Sequence, residues 1–149
     1  MNLSNARLGV AALWAGSLWT VGYLVAPVLF MRLDRVLAGG LAGFMFQAEA
    51  WISVVCALLL TGTSLLEHAG IQERRRREFG LIVIMLGCTL LGYFALHPWM
   101  AALREAAGPG GIEASPQRNT FAILHGISSF FYLMESLLAM RLVILLGKR

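Results

Sequence analysis

Leu8-Gly-Val-Ala-Ala-Leu-Trp-Ala-Gly-Ser-Leu-Trp-Thr-Val-Gly-Tyr-Leu-Val-Ala-Pro-Val-Leu-Phe30 contains no charged side chain. As a helix rising 1.5 Å per residue it is long enough to cross a hydrocarbon core of about 30 Å. Arg7 stands in front of it, as in a secretory signal, but the run exceeds a typical signal core. It also ends in Val25-Ala-Pro-Val-Leu-Phe30 instead of a small-residue cleavage site. It is expected to persist as a transmembrane helix.

Three more stretches of that kind follow, and the spans are placed at 8–31, 38–66, 79–103 and 119–147. The composition agrees with them. Of 149 residues 58% are hydrophobic and 13% charged, with mean hydropathy +0.73, leaving too little charge to solvate a globule of this size or to keep a chain disordered. The fold expected is all-α, a single-domain integral membrane four-helix bundle embedded in a lipid bilayer. Met31 to Val36 reads as a tight polar turn, Glu67 to Glu78 as a basic connection, and Glu105 to Gln117 as a loop rich in Gly and Pro.

With four spans, both termini share a side with the second connection. That side carries Arg7, Arg74, Arg75, Arg76, Arg77, Lys148 and Arg149, against Arg32, Arg35, Arg104 and Arg118 opposite. The positive-inside rule therefore puts both termini in the cytoplasm. The four-arginine run reads as a topology anchor or as a site for anionic headgroups. A net charge of +4, placed at span ends, argues against nucleic acid as a partner. Cys56 and Cys88 lie in apolar runs without ligand-like spacing and read as packing residues.

Polar side chains at membrane depth are the informative ones, because an ionisable group there costs at least about 2.5 kcal/mol to insert. Glu49 falls near the middle of the second span, His97 in the outer third of the third, and His125 and Glu135 on the fourth. His97 and His125 lie at similar height, each about six residues from the outer end of its span. Helical periodicity adds Tyr93, Met100 and Arg104 to the face of His97, and Ser128, Ser129, Tyr132, Glu135 and Ser136 to that of His125, with Glu49, Ser53 and Cys56 on the second span. Such groups are expected to face the bundle interior.

Three readings of the histidine pair stay open: hydrogen-bonding partners, axial ligands of a haem or, with Met100, of copper, and a proton relay. Glu49 and Glu135 read either as structural carboxyls bonded to Tyr132 or Ser53, or as groups that meet an ion, a proton or a ligand. Pro27 and Pro98 should disturb their helices at matching heights and open the outer half of the bundle, beneath the Gly/Pro loop. Gly16 on the first span and the Gly39/Gly43 step on the second are expected at helix contacts. No nucleophile elbow, HExxH or phosphate loop is present, so an enzyme is not indicated.

The string from Leu13 to Phe30, then Leu37-Ala-Gly-Gly-Leu-Ala-Gly-Phe-Met-Phe46 and Leu124-His-Gly-Ile-Ser128, resembles a family of small bacterial membrane proteins of unknown function. That family is similar to the transmembrane protein 205 group and, more loosely, to copper-resistance membrane domains. The resemblance implies a four-helix membrane domain and marks Gly16, Gly22, Pro27, Phe30, Gly39, His125 and Ser128. It does not mark His97. The leading expectation is a non-enzymatic membrane protein that handles a metal, copper first, or a small ligand through His97, His125, Met100 and Glu49. The alternatives are a structural or assembly subunit that binds another membrane protein or its own copy, and a haem-binding redox protein.

Overall fold

The computed structural model describes residues 3–66 and 72–148. Four helices, all long and apolar enough to cross a membrane, run as α1 (Leu3–Arg32), α2 (Arg35–Leu66), α3 (Gln72–Ala106) and α4 (Arg118–Gly147). Each packs on its neighbours in a ring, α1 on α2 and α4, α3 on α2 and α4. The structure is thus an all-α four-helix bundle, with both termini at one end and the α1–α2 and α3–α4 connections at the other.

The helices are longer than expected because charged turns extend them past the apolar runs. α3 starts at Gln72, so the Arg74–Arg77 run and Glu78 are helical and not part of a loop; Glu67 to Ile71 lie outside the described residues. α1 and α2 are separated by Leu33 and Asp34 alone. Leu33 is extended, and Asp34 Oδ1 accepts the Val36 and Leu37 amides at 3.1 and 2.9 Å, capping α2. Between α3 and α4, Gly108 and Gly111 take φ of 67° and 68°, which bends the chain into two short 3₁₀ turns. Glu113 pins that loop, pairing with Arg35 at 2.9 Å and Arg118 at 3.0 Å.

α1 and α3 each contain a π-helical segment, at Thr20–Val25 and Leu90–Ala95, just ahead of Pro27 and Pro98. A proline has no N–H, and its ring collides with the carbonyl four residues back. Widening the preceding turn relieves both faults, and the Ala26 amide bonds instead to the Val21 carbonyl. Both segments carry the same Gly-Tyr pair, Gly22-Tyr23 and Gly92-Tyr93.

The two halves of the bundle differ. At the termini end all four helices interdigitate around Trp14, Leu18, Leu60, Ile82, Met85, Leu142 and Leu146, with Ala11, Ala15, Ala57, Ala139 and Cys56 between them. Close approach there depends on alanine, not glycine. A Cβ on Gly9 or Gly16 would meet nothing within 4 Å, so Gly16 is not the contact expected of it. The end is closed by Arg7, which donates to Glu78 Oε2 at 2.8 Å and Ser64 Oγ at 2.7 Å. Arg74 approaches Glu78 Oε1 at 3.4 Å and also bonds the Leu145 carbonyl, so the cluster joins all four helices. Arg7 and Glu78 are only 2% exposed. They are therefore not merely flanking charges that set topology.

Beyond the π segments the packing divides. The remainder of α1 packs chiefly on α2, and that of α3 chiefly on α4. Two hairpins that are fused at the termini end thus splay apart toward the loop end.

Candidate functional site

The splay leaves a cavity of about 480 Å³ between the hairpins, within the range of small-molecule sites. Nearly every candidate from the sequence lines it. Glu49 comes from α2, Tyr93, His97, Met100 and Arg104 from α3, and His125, Ser128, Ser129, Tyr132 and Glu135 from α4. Both π segments contribute wall, through Gly22 and Tyr23 on α1 and Gly92 and Tyr93 on α3.

The floor is an acidic pair held by one hydroxyl. Ser53 Oγ lies 2.8 Å from Glu49 Oε1 and 3.1 Å from Glu135 Oε1, and it accepts the Trp14 indole N–H at 2.6 Å. Glu135 Oε1 also accepts from Thr89 at 2.8 Å and from Trp14 at 3.2 Å. Both carboxyls are at most 3% exposed. The hydroxyl has one hydrogen to give, so with both acids ionised one of its two contacts would lack a proton. Tyr132 does not bond to the acids as expected: it donates to the Leu18 carbonyl at 2.6 Å. Its ring packs edge-on against Phe46 and Tyr23. Cys88 lines the floor, whereas Cys56 lies in the core below.

The top is cationic and aromatic. Arg104 donates to the Gly39 carbonyl at 3.1 Å and lies over the Phe121 ring, 5.1 Å from its centre. His97 stacks on Tyr93 at 4.5 Å and His125 on Phe121 at 6.0 Å. Gly39 and Gly43 lie at a contact of α2 with α3 that is made through α3 side chains and not backbone to backbone. A Cβ on Gly43 would stand 3.6 Å from His97 Nε2, and one on Gly39 would stand 3.7 Å from Arg104. The step is a backbone shelf under those two side chains.

The closest helix approaches lie at glycines that spacing did not single out as contacts. A Cβ on Gly22 would overlap the Tyr132 ring, and one on Gly92 would stand 3.0 Å from Phe131 Cβ. Ser128 Oγ donates to the Gly92 carbonyl at 2.8 Å, taking up an acceptor in the widened turn. The repeated Gly-Tyr pair ahead of each proline was the signal available for this.

His97 and His125 share the cavity, but each is stacked on a neighbour of its own helix, and no hydrogen bond or ring contact joins them. Among the described residues no group of three or more His, Cys, Asp and Glu side chains converges where it would hold a metal ion. The copper and haem readings of His97, His125 and Met100 thus find no support in the geometry.

Neither the curated proteins nor the solved structures contain a match to the chain. A family match covers residues 9–109, from α1 to the end of α3. It leaves out α4 and with it His125, Ser128 and Glu135, and it carries no activity and no link to copper. Since it takes in well over half of the chain, the protein belongs to the family defined by the domain of unknown function DUF4149.

Proposed function

We propose that this is a non-enzymatic membrane protein that binds a small ligand in the cavity between its two hairpins, with the loop end outward and both termini in the cytoplasm. The observation that carries the reading is the division of the bundle. One half buries a continuous apolar core and is clamped by a buried ion pair. The other is held open by two proline-linked π segments over a polar floor. Irregular backbone at membrane depth is tolerated where it lines a cavity, and π segments recur at functional sites. Orientation rests on the basic residues: Arg7, Arg74 to Arg77, Arg141 and Lys148 crowd the termini end.

Native mass measurement of the protein extracted in mild detergent tests the reading. A co-purifying small molecule is expected, and Gly43→Phe, which fills the cavity from its shelf, should abolish it while the protein stays folded. Retention of the same adduct by that variant would place the ligand elsewhere. A metal adduct surviving His125→Ala would place any metal outside this cavity.

A further inference from the structure

The cavity opens sideways. Every lining side chain on α2 and α3 is buried or half-buried; the exposed ones are Tyr23, Pro27 and Phe30 on α1 and His125, Ser129 and Leu133 on α4. These six face one another across the gap that the splayed hairpins leave between α1 and α4. Tyr23 precedes Arg32 by nine residues, and Ser129 and Leu133 follow Arg118 by eleven and fifteen. At 1.5 Å per residue the window reaches about 14 Å below the charged end of α1 and about 22 Å below that of α4. Measured against a hydrocarbon core of about 30 Å, the window faces acyl chains, chiefly those of the leaflet beside the loop end.

Charge is ordered along the same cavity. At the top Arg104 spends one N–H on the Gly39 carbonyl, and among the described residues no carboxylate lies within ion-pair distance of it. Glu113, the nearby acid of the loop, is already shared by Arg35 and Arg118. A guanidinium offers five N–H donors in a fork that matches phosphate, and among the described residues most of those of Arg104 have no protein acceptor. At the bottom the Glu49–Ser53–Glu135 group offers no cation, so the cationic end of the cavity is its top.

The geometry points to an anionic phospholipid as the ligand, its phosphate on Arg104 beside His97 and His125, and its chains leaving through the window between α1 and α4. This assignment rests on the cavity being the binding site. It explains why a largely apolar pocket with a cationic top opens toward lipid instead of closing against it.

The full chain, purified in mild detergent, is titrated with dioleoylphosphatidylglycerol and, separately, with dioleoylphosphatidylcholine, and the bound fraction is read by native mass measurement. Both lipids offer Arg104 the same phosphodiester, but the choline of phosphatidylcholine would bring a second cation beside the guanidinium, so the anionic lipid is expected to bind about tenfold more tightly. Arg104→Gln should reduce it to the level of phosphatidylcholine, while Arg104→Lys keeps part of the difference. Ser129→Trp, which obstructs the window, should weaken both lipids. Equal binding of the two lipids by the unaltered protein would overturn the assignment. So would a preference that survives Arg104→Gln, which would trace it to the Arg74–Arg77 run. An uncharged co-purified molecule displaced by Gly43→Phe would also overturn the anionic class while leaving the cavity as the site. Lipid binding that Gly43→Phe and Ser129→Trp leave untouched would remove the cavity reading itself.

Discussion

Replacing Arg7 by methionine should be among the most damaging single changes in this chain, and the cost follows from its surroundings. The guanidinium is 2% exposed and satisfies Glu78 Oε2 at 2.8 Å and Ser64 at 2.7 Å. Removing one partner of a buried pair leaves an uncompensated charge, which costs about 3–5 kcal/mol. Arg74 Nε at 3.4 Å from the other Glu78 oxygen retains part of the compensation, so the lower value, about 3 kcal/mol, is expected. For a chain of this size each kcal/mol moves the unfolding midpoint by about 2–4 °C, giving a fall of about 6–12 °C. The assay is thermal unfolding in one mild detergent, followed by tryptophan fluorescence, for Arg7→Met, Glu78→Leu and the double variant. Because well-packed apolar groups can replace a buried pair with little loss, the double variant should regain most of what Arg7→Met loses. Since Glu78→Leu strands Arg7 in the same way, that corresponds to a coupling larger than either single loss, above about 3 kcal/mol. Additive losses, or single variants as stable as the parent, would show that the termini end is wet and that Arg7 and Glu78 are ordinary flanking charges.

Gly92→Ala should destabilise by about 1–3 kcal/mol, since its Cβ would press on Phe131 at 3.0 Å. Gly16→Ala should instead stabilise by about 0.5–1 kcal/mol, because nothing lies within 4 Å of it and alanine is the better helix former; thermal unfolding of the two variants gives the sign of each. Ser128→Ala should cost about 1 kcal/mol through the lost bond to the Gly92 carbonyl, seen as a lowered midpoint in the same assay. Trp14→Phe deprives Ser53 and Glu135 of a buried donor and should cost about 1–3 kcal/mol. An unchanged midpoint for that variant would mean that the acidic floor does not depend on its indole.

The four spans were legible because bilayer thickness imposes a length that apolar composition displays directly. The polar stripes were legible for a similar reason: His97, Arg104, His125, Ser128 and Glu135 are costly in lipid, and helical periodicity aligns those on each helix. Partnership was not legible. Periodicity gives a residue's face but not its rotamer, so it could not tell that Tyr132 would choose the Leu18 carbonyl over the acids, or that the imidazoles would stack within their own helices. Counting arginines treated Arg7 as a flanking charge, since nothing local in the chain announces that Glu78, 71 residues on, returns beside it. The prolines marked the disturbed helices. That the disturbance is a π turn built on a Gly-Tyr pair depends on how each backbone absorbs a missing N–H, which the proline alone does not specify.

The two native cysteines offer the most direct measurement of the cavity, since Cys88 lines its floor and Cys56 lies in the core beneath it. Thiol reactivity follows access. With Cys56→Ala and Cys88→Ala each leaving one thiol, methyl methanethiosulfonate, small and uncharged enough to enter from water or from the apolar phase, should modify Cys88 well ahead of Cys56, and Gly43→Phe should abolish that advantage. Equal rates for the two thiols, or a Cys88 rate unchanged by Gly43→Phe, would contradict an open binding cavity between the hairpins.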